Sequence, residues 1–202
     1  MTKRNQKHIQ AILDLASVAD QVEGLSWYER ANQAAYRLIR QYEKISFAQA
    51  AGVIAALSPR NKWERNLIDA ENLIAAFVTA GTEAAAEVKV CTFSSNKRKA
   101  LKILQLRLGF NGMTEVLEIL SGPKLREFCS CIAGQDDVCI DGHAYSVWFG
   151  CRVALKDVPK IGVKLRREIK ADYLAVAKKN NLKGFELQAI TWVAHRRLHG
   201  VA

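Results

Sequence analysis

The stretch VCIDGHAY, residues 138–145, places one aspartate and one histidine between an apolar run and a helix predicted over residues 144–154. Asp141 can cap that helix, because a side-chain oxygen at the N-cap accepts hydrogen bonds from backbone N–H groups that otherwise lack partners. Lys124, which lies 17 residues upstream, opens a second interpretation. An amine and a carboxylate brought together can carry out covalent chemistry at a sugar or carbonyl carbon.

Apolar residues recur at helical spacing along nearly the whole chain, which predicts about ten helices joined by short turns. Capping boxes at Ser26 and Ser46 and a cap at Ser95 predict three helix starts. Residues 87–93 come nearest to a strand pattern, but their polar and apolar residues alternate too briefly, so they are predicted to be loop. Helix ends are predicted at Pro59, Gly81 and Gly109. The predicted fold class is therefore all-α.

The charge of the chain indicates its kind of partner. The 202 residues carry a net charge of +10, from 30 Lys and Arg against 20 Asp and Glu. The basic residues are concentrated in four stretches, residues 97–107, 156–170, 178–183 and 196–197. One such stretch alone is usually a solvated helix face, but the four together predict a nucleic-acid partner, since nucleic acid is the commonest polyanion in a cell.

The sequence argues against a membrane and a metal site. No apolar run is long enough to cross a bilayer, and no apolar signal region follows the basic residues 1–7, so we expect a cytoplasmic, nucleoid-associated protein. Five cysteines without a secretion signal indicate reduced thiols. Because there is no C-x-x-C pair, and Cys129 and Cys131 are predicted to point to different faces of a helix, we expect neither a metal nor another cofactor. No protein partner is evident.

Four segments then match a known family in order along residues 47–200: IAALSPR at 54–60, NKRKALKIL at 96–104, LSGPK at 120–124 and VCIDGH at 138–143. They resemble, respectively, a helix followed by a DNA-probing loop, a Lys-Ala-containing helix, a hairpin with a catalytic lysine, and a segment with a catalytic aspartate. These belong to the helix-hairpin-helix (HhH-GPD) superfamily of base-excision DNA glycosylases, the endonuclease III relatives. The sequence differs from the family pattern at two places. In the hairpin, Gly122 is followed by Pro123, which has no N–H, and the iron–sulfur cysteines near the C-terminus are absent.

The resemblance implies a two-lobed all-α fold with DNA in the cleft between the lobes. One lobe would be a helical barrel over residues 44–137 with the degenerate hairpin; the other, residues 1–43 plus 138–202, would carry the catalytic aspartate. The implied activity is removal of a damaged or modified base. Asp141 would stabilise the positive charge that develops on the sugar, and Lys124, deprotonated through burial, would form the Schiff base of an AP lyase.

The resemblance also implies further site residues. Arg60 or Asn61 would fill the gap left by the flipped base, and His143 would hold the DNA backbone near the target nucleotide. The remaining predicted DNA contacts are Gly122, Lys97 and Lys99, and the predicted base-pocket residues are Trp63, Tyr145, Trp148, Gln188 and Trp192. Each also has an ordinary structural explanation: an exposed turn, a cap, a solvated helix face or the packed core.

Two other functions remain open. The same scaffold can act on hypermodified bases in DNA, by excision or during hypermodification. It can also be a catalytically silent DNA-binding module of the same fold, which the altered hairpin favours, whereas the presence of both Lys124 and Asp141 favours an enzyme.

Overall fold

The computed structural model describes residues 2–107 and 112–200, and over these residues it contains ten α-helices and no strand. The predicted all-α class is confirmed. In chain order the helices are α1 (Thr2–Asp14), α2 (Val18–Gln41), α3 (Phe47–Leu57), α4 (Trp63–Glu87), α5 (Ser94–Leu104), α6 (Met113–Ile119), α7 (Pro123–Ile132), α8 (Gly142–Phe149), α9 (Val163–Lys179) and α10 (Gly184–Leu198).

The chain divides into two compact units. Unit 1 consists of Met1–Arg30 and Gly134–Ala202, and unit 2 of Ala31–Ala133. The prediction placed the divisions after residues 43 and 137, in the turns that bound the barrel segment. The first division instead lies within α2, because the two halves of that helix are buried by different partners. Gly24 of the first half lies against Ile190 of α10, and the second half buries Ala31, Ala34, Ala35 and Leu38.

Unit 2 is built around α3, which contacts α4, α5, α6 and α7. Residues 48–57 of this helix are all buried, as expected for a helix that is apolar on every side. Its predicted capping box is confirmed, since Ser46 Oγ accepts from the Gln49 N–H (3.2 Å) and Gln49 Oε1 accepts from the Ser46 N–H (2.9 Å). The amide of Gln49 also donates to the carbonyl oxygens of Ile103 and Leu104, which satisfies the end of α5.

Unit 1 packs α1, α8, α9 and α10 around a core that includes Ile9, Val138, Ile140 and Tyr173. The carboxylate of the buried Asp172 accepts from the amide of Gln6 and from the indole N–H of Trp148, each at 2.8 Å. Trp148, a predicted base-pocket residue, is therefore a core side chain held by α9. The first 30 residues and the last third of the chain therefore share one core.

Several helix boundaries differ from the prediction. Ser26 does not start a helix: it lies inside α2, where its hydroxyl donates to the Val22 carbonyl oxygen (2.8 Å), and the reciprocal cap is made by Ser17 and Asp20 instead. Helix α5 begins one residue before Ser95. The helix after Asp141 ends at Phe149 rather than at residue 154, because the next residue, Gly150, adopts a left-handed conformation (φ 92°).

Other predicted boundaries agree with the structure. Helix α3 ends two residues before Pro59, and Gly81 interrupts α4 with a non-helical conformation (φ 82°) before the helix resumes to Glu87. Residues 88–93 are loop, as expected. The predicted end at Gly109 lies outside the described residues.

Candidate functional site

Asp141 is the N-cap of α8 in unit 1. Its backbone is extended (φ −119°, ψ −170°), and its Oδ1 accepts from the N–H groups of His143 (3.0 Å) and Ala144 (2.9 Å). The preceding residues Val138, Cys139 and Ile140 are buried, so the core anchors the segment that delivers the half-buried carboxylate to the helix start. The capping interpretation is confirmed. Both cap bonds use one carboxylate oxygen, which is compatible with a second role for the other oxygen.

An aromatic and cationic surface lies beside Asp141 in unit 1. The ring of His143 is 6.4 Å from that of Trp192, which lies 6.3 Å from Trp27, and the Arg196 guanidinium sits 4.4 Å from the Trp192 ring. Trp192 is partly exposed. Partly exposed rings backed by arginine are suited to stacking on nucleobases.

The other three predicted base-pocket residues of unit 1, which are Tyr145, Gln188 and the core residue Trp148 described above, are in its interior. Tyr145 is buried and stacks on Phe149 with a centroid separation of 5.5 Å, and Gln188 is buried with its Oε1 accepting from Tyr28 OH at 3.1 Å. Both side chains act in packing. The structure therefore brings Trp192 together with His143, and it leaves Tyr145, Trp148 and Gln188 in the core.

Lys124 belongs to unit 2, in the segment where α7 follows α6. The two helices are joined by Leu120, Ser121 and Gly122, and Gly122 has a left-handed φ of 101° with open space around its Cα. Pro123 occupies the first position of α7 and Lys124 the second. The side chain of Lys124 is exposed, whereas the Schiff-base interpretation expected a buried amine.

The connection between α3 and α4 projects Arg60. This residue is exposed and has a left-handed backbone (φ 57°), which is uncommon for a residue other than glycine. Its guanidinium lies 5.2 Å from the ring of Phe93, which comes from the loop before α5 and is 49% exposed. We call this pair the Arg60–Phe93 tip. Asn61, the other predicted inserting residue, instead donates to Asp69 Oδ2 (2.9 Å) and is held in the fold.

Asp69 of α4 holds the two loops of the tip. It is fully buried, and it accepts hydrogen bonds from Arg65 Nε (2.7 Å), Asn61 Nδ2 (2.9 Å) and the backbone N–H of Cys91 (2.7 Å). A further bond joins the loops directly, from Thr92 Oγ1 to the Pro59 carbonyl oxygen at 2.9 Å. Sequence reasoning missed both Asp69 and Phe93. The available signal was an aspartate on the apolar face of α4, one position before the buried Ala70.

The remaining predicted DNA contacts of unit 2 are partly buried. Lys97 Nζ donates to the Ala86 carbonyl oxygen, and Lys99 Nζ lies 3.3 Å from Asn96 Oδ1. Trp63, the first residue of α4, is also partly exposed. The two lysines therefore make contacts within unit 2 as well as adding positive charge to its surface.

Over residues 2–107 and 112–200, no group of three or more His, Cys, Asp and Glu side chains is arranged to hold a metal ion. All five cysteines are free thiols, and burial raises the pKa of Cys129 to about 12, so this thiol is not a nucleophile at neutral pH. None of the described helices has both the length and the apolar character needed to span a bilayer.

Comparison with known proteins gives a family and no described function. No curated protein and no solved structure matches the chain. One family model does match, over residues 1–199, which is nearly the whole sequence. The chain therefore belongs to this family, which is described as a family of unknown function, DUF7178.

Proposed function

We propose that the protein is a DNA N-glycosylase that removes a damaged or modified base, with Asp141 as its catalytic carboxylate. The observation that carries the proposal is the geometry of Asp141, a half-buried N-cap beside His143 and Trp192. When the C1′–N bond breaks, the base departs with the bonding electrons and positive charge develops on the sugar. A carboxylate held rigidly through one oxygen can stabilise that charge with the other.

The Arg60–Phe93 tip supports an action on DNA. An enzyme that acts on a base must take it out of the stack and fill the gap that remains. The tip combines an exposed guanidinium with an exposed ring, and Asp69 fixes the loops that carry them. Holding Arg60 in the left-handed region costs roughly 1–2 kcal/mol, and such strain is concentrated at functional sites.

The lyase activity is a separate part of the proposal. The Lys124 amine, once deprotonated, would attack C1′ while the base leaves, and the resulting Schiff base would permit β-elimination of the 3′ phosphate. Without this step, water is the nucleophile, Asp141 removes its proton, and the sugar is left abasic. The exposure of Lys124 favours the water-dependent route.

A second candidate is a DNA-binding module without catalysis. The exposed Lys124 and the single glycine of its hairpin favour this function. A third, an enzyme that excises or processes hypermodified bases, would use the same Asp141 chemistry with another pocket.

One experiment separates these functions. The wild-type protein is incubated with duplexes that carry oxidised, deaminated, hypermodified or abasic nucleotides, with sodium borohydride for covalent trapping and without it for free-base release. Asp141→Asn should lower base release by at least about a hundredfold, the range in which acid–base groups contribute. Lys124→Ala should abolish trapping, and Lys44→Ala, which also removes an exposed lysine of unit 2, should leave both readouts unchanged.

Each outcome points to one function. Base release without trapping leaves a glycosylase that uses water. Binding that weakens steeply with salt, with neither release nor trapping on any duplex, favours the silent module, because phosphate contacts release counterions. If binding is absent or insensitive to salt, the proposal is wrong.

A further inference from the structure

A pocket of about 390 Å³ in unit 1 lies between α1, α8 and α10. Three of the four histidines of the chain, His8, His195 and His199, line it, and apolar side chains such as Leu15 and Val147 form much of the remaining wall. Its volume lies in the range of ~300–1,000 Å³ that is typical of small-molecule sites. None of the described side chains that line it is a carboxylate.

His195 has unused hydrogen-bonding capacity at this pocket. The residue is 3% exposed, and among the described residues neither Nδ1 nor Nε2 has a hydrogen-bond partner. Buried polar groups are nearly always paired, so two unpaired nitrogens on one ring at a pocket are unusual. The rings of His143 and His199 contact it edge-on, with centroid separations of 5.9 and 4.5 Å, and supply no hydrogen bond.

The surroundings of His195 select a neutral ligand. Burial, together with His199, His143 and Arg152 nearby, lowers the pKa of His195 to about 4, although Asp141 acts in the opposite direction. The ring is therefore neutral at pH 7 and offers one acceptor nitrogen and one N–H donor. An anionic ligand would be best paired with a protonated His195, which burial disfavours. A cationic ligand would be repelled by the positive charge of Arg152.

His8 adds a second acceptor to the pocket lining. Its Nδ1 lies 3.2 Å from the Trp148 carbonyl oxygen, which can only accept, so Nδ1 carries the proton. In the neutral ring Nε2 is then an acceptor. The ring packs directly on Gly150, where a Cβ atom would lie 2.3 Å from His8 Nδ1, and this contact fixes its position.

We infer that this pocket binds a small neutral molecule with an apolar ring and an O–H or N–H group that donates to the imidazole of His195. The apolar walls accommodate the ring, and the two imidazole acceptors favour a donor on the ligand. The site goes beyond the proposed action on DNA and does not depend on it.

Phenol and toluene are the probes, because they have similar rings and only phenol carries a donor. Each is titrated into the full chain at neutral pH while the ¹⁵N resonances of the histidine rings are followed by NMR. Phenol should shift the ring resonances of His195 and bind about tenfold more tightly than toluene, since one added hydrogen bond contributes roughly that factor. Benzoate, the anionic analogue, should bind more weakly than phenol.

Two variants test the assignment. His195→Phe should remove the preference for phenol, whereas Leu15→Ala, at the 58% exposed mouth, should weaken both ligands equally and keep the preference. If circular dichroism shows that His195→Phe is unfolded, the test rests on the His195 resonances of the wild type and on the ligand preference of Leu15→Ala. No binding at millimolar phenol, equal affinities of wild type for phenol and toluene, or tighter binding of benzoate would each overturn the inference.

Discussion

Replacing Asp69 by asparagine would test whether one buried carboxylate holds the Arg60–Phe93 tip. Three donors converge on Asp69, namely Arg65 Nε, Asn61 Nδ2 and the Cys91 N–H, at 2.7, 2.9 and 2.7 Å. Asparagine has the same size, but it removes the charge and replaces one acceptor oxygen with an NH₂ group. That group would face a donor in either orientation of the amide.

The expected loss follows from these contacts. Breaking a buried ion pair costs roughly 3–5 kcal/mol, and one hydrogen bond to a charged group contributes roughly 1.5–3 kcal/mol. The side chain of Arg65 is 47% exposed, so solvent screens its share of the interaction. We therefore expect the free energy of unfolding, measured by urea denaturation, to fall by about 3 kcal/mol.

Glu64→Gln is the matched control, because it removes one carboxylate from an exposed position of the same helix. Its effect should stay within about 0.5 kcal/mol. Hydrogen exchange adds a local measurement, since the Cys91 amide should lose protection in Asp69→Asn and keep it in the control. A loss of stability no larger than that of Glu64→Gln, with the Cys91 amide still protected, would refute the reasoning.

Three further outcomes are expected. Arg60→Gly should raise the free energy of unfolding by about 1 kcal/mol, because glycine adopts φ 57° without strain, and should weaken DNA binding in a salt titration. The pKa of His195 is about 4 in the folded protein and 6.5 ordinarily, so between these two pH values the unfolded chain binds more protons than the folded one. The free energy of unfolding should therefore fall by up to about 3 kcal/mol as the pH drops from 6.5 to 4. His195→Phe should remove this pH dependence in urea melts. Gly150→Ala should lower stability by about 2–3 kcal/mol in thermal melts, because residue 150 has a φ of 92° and the added Cβ would meet the His8 ring. The control is Gly162→Ser, where the added side chain enters open space, and it should change stability by less than about 0.5 kcal/mol.

The features that local sequence determines were predictable. Helical spacing predicted about ten helices, which is the number found in the described residues, and the capping box at Ser46 identified the start of α3. The box at Ser26 was misleading, because the same pattern occurs nine residues earlier, from Ser17 to Asp20, where the helix begins. A serine inside a helix can turn its hydroxyl back to a carbonyl of the preceding turn, and the sequence pattern does not distinguish the two cases.

The candidate site was predictable only where it is local. Asp141 was identified as a cap because the groups it binds are two and three residues away. Phe93 and Arg60 meet through loops that Asp69 joins, and His8 bonds to the carbonyl of Trp148, 140 residues away. Such contacts depend on how helices pack, so periodicity and capping signals carry no information about them.

The discontinuity of unit 1 has a consequence for synthesis of the chain. Helix α1 is made first, but it packs against α8, α9 and α10, which are made last. At roughly 5–20 residues per second, about ten seconds pass between translation of α1 and the start of α8. Unit 2 is complete in sequence before α8 begins, while Ile9, fully buried in the finished protein, still has nothing to pack against. A fragment that ends before Gly142 should therefore protect α3 and leave α1 open to proteases and chaperones.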